Sequence, residues 1–195
     1  MNETFQKLLT ELEHFGQQND AAISERPRRM LNITRDTGEF LSVLVQATNA
    51  QRVLEIGTSN GYSTLWLAQA TQRIGGHVVT VELCELKLEM AARNFERAGV
   101  ADVITQHREE AGTLLESLDD ACFDLLFLDS ERPDYAQWWP NIQRVLRKGG
   151  LLVVDNATSH AEEMADFIAQ VSADTNFTTC TVPVGKGEFL ATKAL

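Results

Sequence analysis

Apolar positions along the chain follow first a helical period and then short strand-like runs. Phe5, Leu8, Leu9, Leu12 and Phe15 recur at helical spacing and predict an amphipathic first helix of about four turns. Its apolar face packs onto the domain or against a second subunit in a homodimer. Residues 16–29 are polar and include Pro27, so they read as a connecting loop. Asp36-Thr37-Gly38-Glu39 has the spacing of a capping box ahead of Phe40-Leu41, predicting a second helix to about Thr48. Thereafter apolar runs at 53–56, 77–82, 103–107, 123–129 and 151–156 predict strands. Between them lie helical stretches: one begun by residues 64–70, one over 86–98 ended by Gly99, one from Glu109-Glu110-Ala111 through Leu118, and one started by Pro133 and Asp134. In the last of these Pro140 should kink or break the helix.

Residues 147–150, Arg-Lys-Gly-Gly, read as a turn. The run that follows, 151–154, is apolar throughout, as a central parallel strand buried on both faces should be. Ser159-His160-Ala161-Glu162 is a second capping box, opening a helix with the stripe Met164, Phe167, Ile168 and Val171. Residues 177–182 and 188–194 are two further strands, joined as an antiparallel hairpin at the sheet edge. Alternation of strand and helix predicts an α/β fold with one doubly wound sheet. One domain over 1–195 is expected, with N-terminal helices in 1–50 and the core in 51–195.

Charge narrows the partners. A net charge of −11 argues against nucleic acid, although a local basic patch is compatible with it. Cys84, Cys122 and Cys180 are odd in number and lack metal-ligand spacing, which suits reduced thiols in a cytoplasmic protein. The first residues carry Glu3, Lys7, Glu11 and Glu13 where a signal peptide would be apolar, and no run is long enough to span a membrane.

The chemistry centres on Glu55-Ile56-Gly57-Thr58-Ser59-Asn60-Gly61-Tyr62-Ser63, a strand, a glycine turn and a helix start. That arrangement cradles nucleotide-like ligands. Glu55 would repel a pyrophosphate, and G-x-x-x-G is not the dinucleotide spacing. A ligand carrying positive charge and no phosphate, such as S-adenosylmethionine, suits it better. A second acid, Glu82, ends the next strand 25 residues beyond Gly57, where such folds bind ribose hydroxyls.

The motif resembles the first motif of the class I S-adenosylmethionine-dependent methyltransferases. Its Gly61-Tyr62-Ser63 ending is similar to that of the catechol and caffeoyl-CoA O-methyltransferase family. The resemblance implies a Rossmann-like seven-stranded sheet ending in an antiparallel hairpin, behind an N-terminal helical extension. It implies cofactor contacts at Ile33, Glu55, Gly57, Ser59, Gly61, Ser63 and Glu82, and at Glu110 and the Ala111 amide against the adenine. For Glu110 a helix-dipole role is the competing reading.

Asp129, Asp155 and Asn156 end strands that neighbour each other in this topology. Two carboxylates and an amide carbonyl form an all-oxygen set suited to Mg²⁺ or another divalent cation. The resembled family holds a divalent ion with matching residues; the competing reading is that Asp129 only touches the cofactor while Asp155 and Asn156 cap a strand. The chain departs from the family at Arg132, where the family has a lysine, and in the short span from Asn156 to Glu162. Arginine cannot act as a general base. Activation of the acceptor then falls to the metal, with Arg132 contributing charge beside Asp129 and His160 as the alternative base. The expected activity is O-methylation of a small phenolic or catechol-like acceptor. A metal-independent methyltransferase and a non-catalytic cofactor-binding protein are the competing readings.

Overall fold

The structure is a computed structural model and describes residues 3–195. Seven strands form one sheet: β1 (Arg52–Ile56), β2 (His77–Val81), β3 (Ile104–His107), β4 (Phe123–Leu128), β5 (Leu146–Val154), β6 (Phe177–Val182) and β7 (Glu188–Lys193). Their spatial order is β3-β2-β1-β4-β5-β7-β6. Strands β1 to β5 pair in parallel, whereas β7 lies antiparallel between β5 and β6. The expected doubly wound sheet with a C-terminal antiparallel hairpin is what forms. The strand order reverses at β1, so a crevice opens where β1 and β4 end, the usual ligand site of open α/β sheets.

Among the described residues seven α-helices cover the faces: α1 (Glu3–Ala22), α2 (Arg35–Ala47), α3 (Tyr62–Arg73), α4 (Glu85–Ala98), α5 (Ala111–Ser117), α6 (Tyr135–Val145) and α7 (Ala161–Ala173). Strand side chains alternate between the faces. Val53, Leu125, Phe127 and Val153 pack under α1 to α4, whereas Leu54, Ile56, Leu126, Leu128 and Val154 pack under α5 to α7. Phe5, Leu8, Leu9 and Leu12 of α1 are buried in the chain's own core, so the first helix packs on its domain. Among the described residues, no helix is long and apolar enough to cross a membrane.

Several boundaries differ from expectation. Helix α1 does not stop at Phe15 but runs to Ala22, and Phe15 is exposed. Gly16, a breaker by sequence, sits inside the helix because Asn32 lies where its Cβ would be, 2.6 Å away. Neither capping box forms. Helix α2 begins at Arg35 behind Thr34, and α7 at Ala161 behind His160, with no side-chain cap at either. Asp36 is instead spent on the Gly185 amide at 3.0 Å. Helix α6 continues through Pro140, held by Tyr135, Trp138, Trp139 and Ile142, all buried against the sheet. Strand β5 starts at Leu146, so residues 147–150 belong to it; its register with β4 shifts between Phe123 and Leu125.

Candidate active site

A cleft of about 730 Å³ lies along the carboxyl ends of β1, β2 and β4. Its floor is the turn after β1. Gly57 has φ 109°, and a Cβ there would lie 2.1 Å from the Asp129 carbonyl oxygen, so only glycine lets the two strand ends approach. Gly61 has φ 84° at the start of α3, where a Cβ would meet Phe95 at 2.5 Å. Gly61 thus shapes the turn from below and does not line the cleft, whereas Gly57, Ser59 and Ser63 do.

Glu55 departs from its expected place. It is fully buried beneath the turn, outside the cleft lining. Its carboxylate accepts hydrogen bonds from Ser63 Oγ at 2.5 Å, from Thr80 Oγ1 at 2.7 Å and from Thr64. Burial pushes its pKa up to about 7 against the opposing pull of those three hydroxyls. Glu55 reaches the cleft lining through Ser63, which it holds and which does line the cleft. The strand period explains this: Glu55 shares the face of Val53, under α3, not the open edge.

Glu82, just beyond β2, does line the cleft. One carboxylate oxygen accepts from the Ser59 amide and the other from the Cys84 amide, both at 3.0 Å. Two backbone donors thus fix the carboxylate next to the glycine turn, with lone pairs left for further donors. Glu110 and Ala111 also line the cleft. Glu110 caps α5, accepting from the Gly112 and Thr113 amides at 2.8 Å, and these bonds hold its carboxyl below the usual range. Glu110 thus both caps the helix and lines the cleft.

Sequence reasoning took residues 16–29 as loop and missed how the near wall is held. Asp20, in the last turn of α1, accepts from the Met30 and Leu31 amides at 2.7 and 2.9 Å. The Met30 carbonyl accepts from Ser59 Oγ at 2.8 Å. This clamps the 30–33 segment, including Ile33, along the cleft. No apolar period beyond Phe15 signalled that the helix reaches Asp20.

At the far end, Asp129, Arg132, Asn156, His160 and Lys186 line the cleft. The Asn156 amide nitrogen donates to Asp155 at 2.7 Å and to Asp129 at 3.2 Å, bridging the two carboxylates. Asn156 has φ 70°, a left-handed conformation that asparagine tolerates better than most residues. Burial, and then the neighbouring carboxylate of Asp155, raise the Asp129 pKa; burial also raises that of Asp155. Asp155 is 2% exposed and lies behind the lining, where one carboxyl oxygen of Glu188 from β7 faces it. Burial, then the charge of Asp155, push Glu188 up to about 9. Its other oxygen accepts from Thr37 Oγ1 at 2.9 Å. Glu188 was read only as a strand residue; its signal was an acid in an otherwise apolar strand start.

Arg132 is 6% exposed, and its Nε donates to Glu163 at 2.8 Å. His160 has its pKa lowered by burial and by the charge of Arg132. Trp138, expected in the core, is buried yet its edge reaches the lining. Among the described residues no cluster of three His, Cys, Asp or Glu side chains has metal-site geometry; the bridging group here is an amide.

Comparison with known proteins matches residues 5–194 to the O-methyltransferase family profile. A catechol O-methyltransferase of Mycobacterium tuberculosis is 40% identical over 141 residues, which cover 71% of this chain and 60% of that protein. Caffeoyl-CoA O-methyltransferase 1 of Eucalyptus globulus is 26% identical over 186 residues, covering 84% of this chain and 75% of the relative. An O-methyltransferase of Streptomyces achromogenes involved in tomaymycin synthesis, solved in complex with SAM, superposes with a TM-score of 0.81. It is 27% identical, with 100% of this chain and 91% of that one covered. With its seven-stranded sheet and terminal antiparallel hairpin in the class I methyltransferase arrangement, the chain belongs to the O-methyltransferase family.

Proposed function

We propose that the protein transfers the methyl group of S-adenosylmethionine to a hydroxyl of a small phenolic, catechol-like acceptor. The observation that carries this reading is the continuity of one cleft from Glu82, beside the glycine turn, to the Asp129–Asn156 end. Glu82, with free lone pairs, receives the ribose hydroxyls. The methionine portion runs along Gly57, Ser59 and Ile33, and the adenine lies by Ala111. This orientation points the sulfonium methyl towards Asp129. The acceptor oxygen attacks the methyl carbon as the sulfur–carbon bond breaks, leaving a neutral thioether, and the acceptor's hydroxyl proton is released to the cleft mouth.

Asp129, Asp155 and Asn156 fit a divalent cation such as Mg²⁺. Two carboxylates raised in pKa by burial, Asp129 also by its neighbour Asp155, favour a cation beside them. The Asn156 amide presents its oxygen there after a half-turn that exchanges near-isosteric O and N. When bound, the cation would lower the pKa of the acceptor hydroxyl from near 10, at about 1.4 kcal/mol for each unit. Arg132 remains charged and adds positive potential where the oxyanion develops; it takes no proton.

Titration calorimetry tests the cofactor reading. S-adenosylmethionine and its demethylated product should bind and NAD should not; the reverse order of affinity refutes it.

A further inference from the structure

The chain carries a net charge of −11, yet its cleft gathers cations from three separate segments. Arg26 and Arg29 come from the segment after α1, Arg132 from the turn after β4, and Lys186 from the β6–β7 turn. The fields of Arg132, Arg26 and Lys186 all reach His160 and oppose its protonation. Acids there are partly committed. Glu163 pairs with Arg132 at 2.8 Å, and Glu131 with Arg26 at 3.5 Å on the rim; Asp129 sits with Asn156. Among the described residues, Arg29 and Lys186 form no ion pair, and Arg29 Nε is buried with no hydrogen-bond partner.

Lys186 is not a loose surface lysine. Its carbonyl accepts from the Thr158 and Ser159 amides at 3.2 and 3.0 Å. The next residue's carbonyl accepts from Ala157 at 2.8 Å, and the Gly185 amide is held by Asp36. These bonds fix the β6–β7 turn against the loop that carries Asn156 and His160. The charge of Lys186 bears on Asp129 and Asp155 without a salt bridge to either, and Arg29 Nε has no partner, so an anion in the cleft could engage both cations.

We propose that the natural acceptor bears a carboxylate on the ring that carries its hydroxyls, and that Lys186 and Arg29 receive that carboxylate. This rests on the methyl-transfer reading above. A monoanion matches the site because Glu131 and Glu163 already pair with Arg26 and Arg132. The methionine carboxylate of the cofactor is the rival anion for the same cations, so the experiment separates the two.

The probes are 3,4-dihydroxybenzoate and the neutral 3,4-dihydroxybenzyl alcohol. Their affinities for the S-adenosylhomocysteine complex are measured by calorimetry, and their kcat/KM by methyl transfer. The wild type should favour the acid by about tenfold or more, the worth of one charge-assisted hydrogen bond. In the double variant Lys186→Gln, Arg29→Gln that preference should collapse towards unity. Equal affinity of wild type for both probes would overturn the proposal. So would a preference retained in the double variant while S-adenosylhomocysteine affinity falls, since the cations would then serve the cofactor. Absence of turnover with both probes would count against the methyl-transfer reading, and the calorimetric preference would still decide this one.

Discussion

Replacing Glu55 with glutamine isolates the consequence of burying an acid under the cofactor turn. With a folded pKa of about 7 against an ordinary 4.5, Glu55 holds its proton in the folded state over a range where the unfolded chain has lost it. The folded state then binds more protons, so stability falls as pH rises from about 4.5 to about 7 and stays lower above that. The difference between 4.5 and about 7 corresponds to about 3 kcal/mol. Glutamine has no charge to bury and keeps one oxygen for Ser63 or Thr80. Asp129, Asp155 and Glu188 are also raised, so the wild-type curve alone does not isolate Glu55. The difference between wild type and Glu55→Gln does. Urea unfolding at pH 4.5 and pH 8 should show the variant gaining on wild type by about 3 kcal/mol across the interval. At 195 residues that is a relative Tm shift of about 6–12 °C. A pH-independent difference between the two proteins would refute the reasoning and mean that Glu55 is an ordinary ionised carboxylate.

Three other outcomes follow from the cleft. Glu82→Ala should weaken binding of S-adenosylhomocysteine by at least tenfold in calorimetry, since each charge-assisted hydrogen bond lost is worth about 1.5–3 kcal/mol. Gly57→Ala forces a Cβ onto the Asp129 carbonyl at an unfavourable φ, and thermal unfolding should show a loss of at least about 2 kcal/mol. Asp155→Ala should abolish calorimetric binding of Mn²⁺ and the divalent-ion dependence of turnover, and wild-type activity undiminished in excess chelator would contradict the metal assignment.

The strand segments and the edge hairpin were legible because parallel central strands are continuous apolar runs and the hairpin is threonine-rich with a glycine turn. Cleft positions that follow from backbone geometry, Gly57, Ser59 and Glu82, were legible too. What escaped the sequence depends on partners far along the chain. Gly16 continues a helix because Asn32 needs its space, and Asp36 leaves its expected cap for Gly185. Asp20 clamps the 30–31 segment only because α1 extends that far. Glu188 joins Asp155 through strand pairing that no local pattern encodes. Glu55 is the instructive case: motif spacing pointed it at the ligand, whereas the two-residue strand period points it beneath α3.

The central claim is methyl transfer from sulfonium to an acceptor hydroxyl. It is tested most directly by incubating the protein with methyl-labelled S-adenosylmethionine, Mg²⁺ and 3,4-dihydroxybenzoate, and identifying the products by mass spectrometry. The account predicts a singly O-methylated acid formed in step with S-adenosylhomocysteine. Label that stays on the cofactor, in a protein shown by calorimetry to bind both cofactor and acid, would contradict it.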